Sequence, residues 1–443
     1  ISLVSYVLTK VAVTVYAGGL VFQQVFGIKE LWGIDFFWIA AIGLVVLTAL
    51  YTIFGGMKSV LYTSVLQTPI LLLGSLIILV LGFKELGGWD EMMRVCGAVT
   101  VNDYGDTMTN LIRSNDDANF PWLGALIGSA IIGFWYWCTD QFIVQRVLSG
   151  KNEKEARRGT IFGAYLKLLP VFLFLIPGMI AFALHQKYIG AGGEGFLPML
   201  ANGTANADAA FPTLVAKLLP AGVKGLVVCG ILAALMSSLA SLFNSSAMLF
   251  TIDFYKRFRP ETPEKKLVGI GQIATVVIVI LGILWIPIMR SVGDVLYTYL
   301  QDVQSVLAPG IAAAFLLGIC WKRTSAQGGM WGLIAGMIIG LTRLGAKVYY
   351  SNAGEVADST FKYLFYDMNW LFFCGWMFLF CIIVVIVVSL ATEAPTAEKI
   401  QGLVFGTATK EQKAATRASW DHWDIIHTVI ILAITGAFYW YFW

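Results

Sequence analysis

About eleven apolar runs of roughly 20 residues or more fill this chain, and they constrain its fold more than any other feature. Such a run crosses the hydrocarbon core of a bilayer as one helix, because a helix pairs its backbone polar groups internally. With 58% hydrophobic and 13% charged residues, the chain also lies outside the composition of soluble enzymes. We therefore predict an all-α, multi-pass membrane protein with a single transmembrane domain over residues 1–443. The runs lie at about 1–27, 34–54, 59–82, 121–147, 159–186, 222–254, 265–290, 294–320, 327–350, 367–391 and 421–443.

Lysine and arginine residues in the short loops predict the orientation of the spans. If the spans alternate, the basic loops all fall on one side, which the positive-inside rule assigns to the cytoplasm. Residue 1 then begins on the cytoplasmic side of the cell membrane, and the C-terminus lies outside. Because residue 1 already stands within an apolar run, we expect earlier helices to be missing from this chain. The basic loops lie at Lys58, 151–158, 256–266, 322–323 and 399–417.

A row of hydroxyl and amide side chains lies within the apolar stretch at 231–255. At helical spacing Ser237, Ser241 and Asn244 share one stripe. Polar groups in hydrocarbon need partners, so this stripe faces protein, water or an ion and not lipid. The residues leave two interpretations open: the stripe packs against another helix, or it lines a ligand site.

Other polar groups also lie inside apolar runs. Lys167 either contacts a ligand or extends back to the membrane interface. Gln301 and Asp302 either line a cavity or form a solvated helix end. The aromatic run at 133–146 suits the C–H faces of a sugar ring, but it also suits an interfacial aromatic belt. In each of these cases the residues alone do not decide between the two interpretations.

Enzyme chemistry and nucleic-acid binding are poorly supported. The three histidines lie far apart, no glycine loop has phosphate-binding spacing, and the six cysteines show no paired spacing. The net charge of +3 is small, and its basic residues are spread over short loops. We therefore predict no enzyme activity, no disulfide framework and no nucleic-acid partner.

Several long stretches resemble the solute:sodium symporter family, and within it the sodium/glucose cotransporter branch. The resemblance runs from residue 1 to about residue 392. Its most specific stretches are TIFGGMKSVLYTSVLQT (52–68), WYWCTDQFIVQRVLSGKN (135–152), YLKLLPVFLFLIPGM (165–179), LMSSLASLFNSSAMLFTIDFY (235–255) and PGIAAAFLLGICWKR (309–323).

This resemblance implies a LeuT-type fold, in which two inverted five-helix repeats form the transporter core. Family members usually have about fourteen spans, so about three N-terminal helices would be missing here. Residues 1–82 would be the last three helices of repeat one, 121–320 would be repeat two, and 327–443 would be C-terminal accessory helices. The glycine pair at 55–56 is expected to form a tight cytoplasmic turn between two spans.

The resemblance also implies the binding residues. A sodium ion would be held by the Ala234 carbonyl and by the hydroxyls of Ser237 and Ser238. Hydroxyl and carbonyl oxygens are hard ligands, which suit a hard cation. A sugar would be bound by Lys167 and Gln301, with Tyr136 as an inner gate, Trp137 beside it and Tyr297 as an outer gate.

Two positions depart from the family pattern. Gly133 stands where members commonly have Asn or Thr, which leaves the identity of the sugar open. Thr63 and Ser64 stand where many members have an aspartate, which weakens a second sodium site. We therefore expect one sodium ion per substrate molecule.

The sequence thus predicts sodium-coupled symport of a glucose-like or galactose-like sugar by alternating access. Two alternatives remain: transport of myo-inositol or another small solute, and a solute sensor of the same fold that does not transport. The predicted partners are sodium, a sugar or polyol, and the lipid bilayer. The residues give no indication of the oligomeric state.

Overall fold

The computed structural model describes residues 10–200, 203–292, 296–353 and 357–442. Residue 1 and Trp443, which define the predicted orientation of the termini, lie outside the described residues, as does the side chain of Thr63. The first half contains α1 (Ala12–Phe26), β1 (Glu30–Leu31), β2 (Ile34–Asp35), α2 (Phe36–Leu86), α3 (Trp89–Gly97), α4 (Trp122–Phe134), α5 (Gln141–Leu148), α6 (Glu153–Pro170), α7 (Ile176–Gly190) and α8 (Ala210–Leu218). The second half contains α9 (Ala221–Met248), α10 (Lys256–Phe258), α11 (Glu264–Val292), α12 (Leu296–Cys320), α13 (Ala326–Asn352), α14 (Thr360–Lys362), α15 (Trp370–Ala391), α16 (Ala397–Ile400), α17 (Lys410–Ser419) and α18 (His422–Tyr441).

The helices reproduce the apolar runs of the sequence. Within the described part of the chain, nine helices are long and apolar enough to cross a membrane. Two shorter apolar helices, Ala12–Phe26 and Phe36–Leu50, correspond to the first two runs. The prediction of an all-α, multi-span protein is therefore confirmed.

The prediction of a tight turn at the glycine pair 55–56 is wrong. The backbone is helical without interruption from Phe36 to Leu86, through the glycine pair and through Pro69. Glycine weakens a helix by about 1 kcal/mol relative to alanine but does not forbid it. The two apolar segments of this helix, Phe36–Leu50 and Gln67–Leu86, remain separate candidates for membrane contact.

A short hairpin leads into α2. Strands β1 and β2 are antiparallel, with Glu30 opposite Asp35. Trp32 and Gly33 occupy the turn with φ of 56° and 75°, as a type I′ turn requires. The Asp35 side chain then accepts a hydrogen bond of 3.0 Å from the Phe37 N–H, which caps α2.

π-helical turns follow three of the long helices and the short helix α14. They occur at Trp135–Thr139 after α4, at Val171–Leu175 after α6, at Leu249–Tyr255 after α9 and at Tyr363–Asp367 after α14. A π-turn inserts one residue into the helical repeat and often marks a functional position. Two of these turns lie beside predicted substrate residues.

The chain divides into two compact units. The first, here called the α9 unit, comprises Tyr6–Asn110 and Leu166–Pro287. Its core is formed mainly by α2, α7 and α9, where Ile78, Ile180, Leu184 and Val227 are almost completely buried. The second, here called the α12 unit, comprises Leu111–Tyr165 and Ile288–Trp443.

The core of the α12 unit lies where α4, α12 and α15 pack together. Ile131, Ile311, Leu371 and the indole of Trp135 are buried there. In the same unit α18 docks on α6, where Arg158 Nη2 lies 3.5 Å from Asp421 Oδ2. The assignment of 1–82 and 121–320 to two repeats, and of 327–443 to accessory helices, stays a prediction.

Candidate functional site

The polar row on α9 lies where this helix packs closely on α2 within the α9 unit. Small residues make the approach possible: a Cβ atom added at Gly230 would lie 3.0 Å from Ile70 Cγ2. Ser237 is 7% exposed, and Ser241 is fully buried. Of the two interpretations of this row, helix packing therefore holds for its buried members. This packing does not exclude that the same side chains also contact a ligand.

The predicted sodium residues share one face of α9. Ser237 and Ser238 stand three and four residues after Ala234, so each lies one turn from it, on the two sides of a face about 100° wide. Ala234 and Ser238 are half-buried, whereas Ser237 is buried. The arrangement offers neutral oxygen atoms only, which suits a monovalent hard cation better than a divalent or transition metal. Among the described residues no cluster of three or more His, Cys, Asp or Glu side chains has metal-binding geometry.

Ser64 of α2 is the residue that the structure adds to this face. Its Oγ lies 2.6 Å from Ser237 Oγ, in a hydrogen bond in which either hydroxyl can donate. The Ser64 position, which the sequence associated with a weakened second sodium site, therefore lies in direct contact with a predicted sodium residue.

Lys167 belongs to the same unit but lies on a different helix. Its side chain is exposed near the end of α6, one turn before Pro170. Proline has no N–H to donate, and here the helix changes to the π-turn Val171–Leu175. The backbone just beyond Lys167 is thus irregular, a common property of ligand sites.

Tyr136 and Trp137 lie in the α12 unit, inside the π-turn Trp135–Thr139. Their ring centroids are 5.2 Å apart and the ring planes are nearly perpendicular, at 85°. Tyr136 is half-buried and Trp137 is 50% exposed. Asp140 ends the turn and accepts a hydrogen bond from the Phe142 N–H at 3.2 Å, so its carboxylate caps the following helix.

Tyr297 and Gln301 lie in the same unit, in the first two turns of α12. They are four residues apart and therefore share one helix face. Tyr297 is 55% exposed, and its ring centroid lies 6.5 Å from that of Phe120. Gln301 is half-buried. Helix α12 also packs against the π-turn that contains Tyr136. The structure thus brings the aromatic turn and the α12 residues into one unit.

Asp302 does not share the environment of Gln301, although the sequence grouped them as one cavity lining. Asp302 is 5% exposed and forms an ion pair with Lys347 of α13. Its Oδ1 lies 3.6 Å from Nη2 of Arg343, which is completely buried. We call these three residues the Asp302 cluster. The sequence signal for this cluster is the pair Arg343 and Lys347, two charged residues one turn apart in the apolar run 327–350.

Arg343 also ties the cluster to the backbone that precedes α15. Its Nη1 donates to the Leu364 carbonyl at 3.3 Å, and its Nη2 donates to the Met368 carbonyl at 2.7 Å. The guanidinium carbon lies 4.1 Å from the centroid of the Phe373 ring, within cation–π range.

A cavity of about 390 Å³ lies about two turns further along α9 from Ser237, within the α9 unit. Its polar lining comes from Thr52, Asn244, Thr251, Gln272 and Thr275. None of the predicted sodium or sugar residues lines it. Asn244, which the sequence placed on the same stripe as Ser237, therefore faces a different environment.

Comparison with known proteins identifies the fold and the relatives. The family model described as the sodium:solute symporter family matches residues 1–336. The sodium/mannose cotransporter SLC5A10 of Bos taurus is 35% identical over 463 residues, covering 100% of this chain and 76% of that protein. The sodium/myo-inositol cotransporter 2 of Homo sapiens is 35% identical and the sodium/glucose cotransporter 1 of Ovis aries is 36% identical. The chain spans 60% of the length of each of these two relatives, with 91% and 89% of this chain aligned.

A solved structure has the same fold. It is described as the substrate-bound outward-open state of a Na+-coupled sialic acid symporter, with a novel Na+ site. It aligns with 89% of this chain and 74% of its own at a TM-score of 0.64 and 20% identity. The LeuT-type fold implied by the sequence resemblance is thereby confirmed.

Proposed function

The chain belongs to the sodium:solute symporter family, and we propose that it works in a protein that uses a sodium gradient to move a sugar or polyol across the cell membrane. The observation that carries this proposal is the serine face of α9. Ser237 and Ser238 lie one turn after Ala234 on this face, and Ser64 Oγ of α2 lies 2.6 Å from Ser237 Oγ. A neutral, oxygen-only set of this kind binds a monovalent cation reversibly, as a transported ion requires.

The proposed coupling is a difference in affinity between conformations. Sodium bound at the serine face stabilises the outward-open conformation, which also binds the substrate more tightly. By linkage, the substrate raises the affinity for sodium by the same factor. Because Ser64 is neutral, a second sodium ion lacks a carboxylate at this position, and we propose one sodium ion per substrate molecule.

The proposed substrate residues are those that the sequence resemblance implies, namely Lys167, Tyr136, Trp137, Tyr297 and Gln301. The aromatic rings offer flat faces to the C–H groups of a sugar, while the lysine and the amide hydrogen-bond with its hydroxyls. The relatives carry names for mannose, myo-inositol and glucose. Gly133 offers no side-chain contact, so we propose a pyranose or cyclitol that needs no hydroxyl ligand there.

The proposed orientation follows the basic loops, with the long connections 83–120 and 187–221 outside the cell. Residue 1 is then cytoplasmic and the C-terminus is extracellular. Accessibility of single cysteines introduced into these connections to a membrane-impermeant thiol reagent tests the orientation. Labelling from the cytoplasmic side only would overturn it.

The decisive experiment is uptake of labelled glucose, galactose, mannose and myo-inositol into proteoliposomes that contain the full-length protein. A sodium gradient should concentrate at least one of these solutes. Ser238→Ala and Lys167→Ala should abolish concentrative uptake. Ser246→Ala is the matched control for the first variant, because Ser246 is fully buried on the same helix and its Oγ finds no hydrogen-bond partner among the described residues. Lys265→Ala, at an exposed position, is the control for the second.

The outcomes separate the competing functions. Accumulation that is lost in both variants and retained in both controls supports symport and the two sites together. Binding of a solute without accumulation under any sodium gradient would refute symport in favour of a solute sensor. Accumulation that survives both Ser238→Ala and Lys167→Ala would leave symport intact and refute the site.

A further inference from the structure

The Asp302 cluster concentrates three charged groups inside the apolar run 327–350 and its neighbour α12. Arg343 is fully buried, and Asp302 is 5% exposed. Charged groups in a membrane span are retained where they pair with one another and serve a function. The cluster has a net charge of +1, because one carboxylate faces a guanidinium and an ammonium. Neutralising the carboxylate would therefore leave two like charges without compensation.

The position of the cluster on α12 sets the direction of the neighbouring side chains. Successive residues of an α-helix are separated by about 100° around the axis. When Asp302 is held against α13, Gln301 is directed about 100° away from that contact. Tyr297 lies four residues before Gln301 and so shares its direction. A rotation of α12 would move both side chains together.

Beyond the Asp302 cluster, the backbones of α12 and α13 are in close contact. Gly336 of α13 faces Gly310 of α12. A Cβ atom added to Gly336 would lie 3.0 Å from the Gly310 Cα. Gly340 faces the carbonyl of Val306, with no room for a Cβ atom. These contacts fix the distance between the helices, but glycine surfaces are smooth and do not fix rotation. The ion pair at Asp302 is the directional contact of this interface.

Arg343 connects this contact to the segment before α15. Its bonds to the Leu364 and Met368 carbonyls hold that segment against α13. The guanidinium thus links Asp302 to two backbone carbonyls and to the Phe373 ring. In addition, Asp302 Oδ1 accepts no hydrogen bond within the described part of the chain, so its pairing with Arg343 is electrostatic and sensitive to small shifts.

We propose that Asp302, with Lys347 and Arg343, is a positioning residue that sets the rotation of α12 and so aims Gln301 and Tyr297 at the substrate. This inference rests on the proposed function, because it takes Gln301 to contact the substrate. It predicts an effect on substrate affinity, whereas a purely structural cluster affects the amount of folded protein. It also predicts that restoring the net charge of the cluster restores affinity.

The test measures uptake kinetics of the full-length protein for four variants: Asp302→Asn, Lys347→Met, the double variant and Gln301→Ala. Asp302→Asn should raise the substrate concentration for half-maximal uptake about tenfold, in the range of contacts that share one network. Lys347→Met, which leaves the Asp302 and Arg343 pair neutral, should have a smaller effect. The double variant returns the net charge to +1 and should be less impaired than Asp302→Asn alone.

A matched control pair lies in the same unit. Lys362 Nζ is 2.8 Å from Asp358 Oδ1, and the Asp358 side chain is 95% exposed. Asp358→Asn and Lys362→Met therefore make the same chemical changes in a surface ion pair, and they should leave half-maximal concentrations unchanged. Sodium activation, measured at saturating substrate, should change little in all the cluster variants.

The outcomes are distinguishable. If Gln301→Ala raises the half-maximal concentration but Asp302→Asn does not, the positioning role is refuted and the proposed substrate site stands. If Gln301→Ala has no effect, both the substrate role of Gln301 and the positioning role fail. If Asp302→Asn yields no folded protein, Lys347→Met decides: an unchanged half-maximal concentration together with lower maximal uptake would refute the inference. A double variant as impaired as the sum of the single variants would also refute it.

Discussion

Replacing Ser64 by aspartate should convert a neutral contact into a second ligand for sodium. Ser64 Oγ lies 2.6 Å from Ser237 Oγ, so a carboxylate at this position would approach any cation held by Ser237. Two unit charges about 4 Å apart attract by about 4 kcal/mol at an effective dielectric constant of 20. Removing the new carboxylate from water costs several kcal/mol, which offsets much of this attraction. A net gain of about 1.4 kcal/mol corresponds to a tenfold change in affinity.

The expected result is that Ser64→Asp lowers the sodium concentration for half-maximal uptake about tenfold. Uptake of the labelled substrate into proteoliposomes is measured against external sodium at saturating substrate. Ser64→Asn is the control, because it has nearly the same size as aspartate and carries no charge. Ser64→Ala, which removes the hydrogen bond to Ser237, should weaken sodium activation modestly, by about 1 kcal/mol.

Equal sodium activation curves for Ser64→Asp and Ser64→Asn would refute the reasoning. The measurement is repeated at more alkaline pH, where the introduced carboxyl group must be ionised. If the two curves still coincide, Ser64 does not face the ion, and the serine face of α9 extends only from Ala234 to Ser238.

Three further predictions concern stability and reactivity. Gly340→Ala should lower the thermal midpoint in detergent by overpacking against the Val306 carbonyl, at a cost of about 1–3 kcal/mol; an unchanged midpoint would contradict the contact. Desolvation acts to raise the pKa of Asp421, but backbone hydrogen bonds and Arg158 outweigh it, so the net pKa lies below the usual 3.8. Its contribution to stability is therefore present above pH 3.8 and lost as the pH falls through the lowered pKa. The thermal midpoints of Asp421→Asn and of the parent protein should therefore converge in acid. A difference between the two thermal midpoints that does not depend on pH would contradict the pairing. Burial raises the pKa of Cys96 from 9.0 to about 11. A variant that retains only this cysteine should react with a maleimide at least about a hundredfold more slowly when folded than when unfolded, because the folded thiol is less ionised and is fully buried. Equal rates would show that the thiol is accessible.

The all-α, multi-span architecture and the serine stripe were predictable because both are local properties of the chain. The length of an apolar run decides whether a helix can span the bilayer, and the helical period places Ala234, Ser237 and Ser238 on one face. The break at the glycine pair 55–56 was predicted wrongly for a related reason. Glycine is compatible with both a turn and a helix, so the sequence does not decide between them at that point.

The division of Gln301 from Asp302 shows what a sequence pattern cannot resolve. Both residues are polar and adjacent, so the sequence pattern groups them as one cavity lining. On a helix they point about 100° apart, and their environments depend on what each side meets. Asp302 meets Lys347, 45 residues later in the chain. Nothing in the run around Asp302 specifies that partner.

The sequence by itself determined where the helices form, that they are apolar enough for a bilayer, and which family the chain resembles. The tertiary structure decided which polar side chains pair: Ser64 with Ser237, 173 residues apart, and Asp302 with Lys347 and Arg343. The physical reason is the range of the forces. Helix formation and bilayer burial depend on neighbouring residues, whereas a hydrogen bond or ion pair acts only over a few ångströms and exists only after helices distant in sequence have packed.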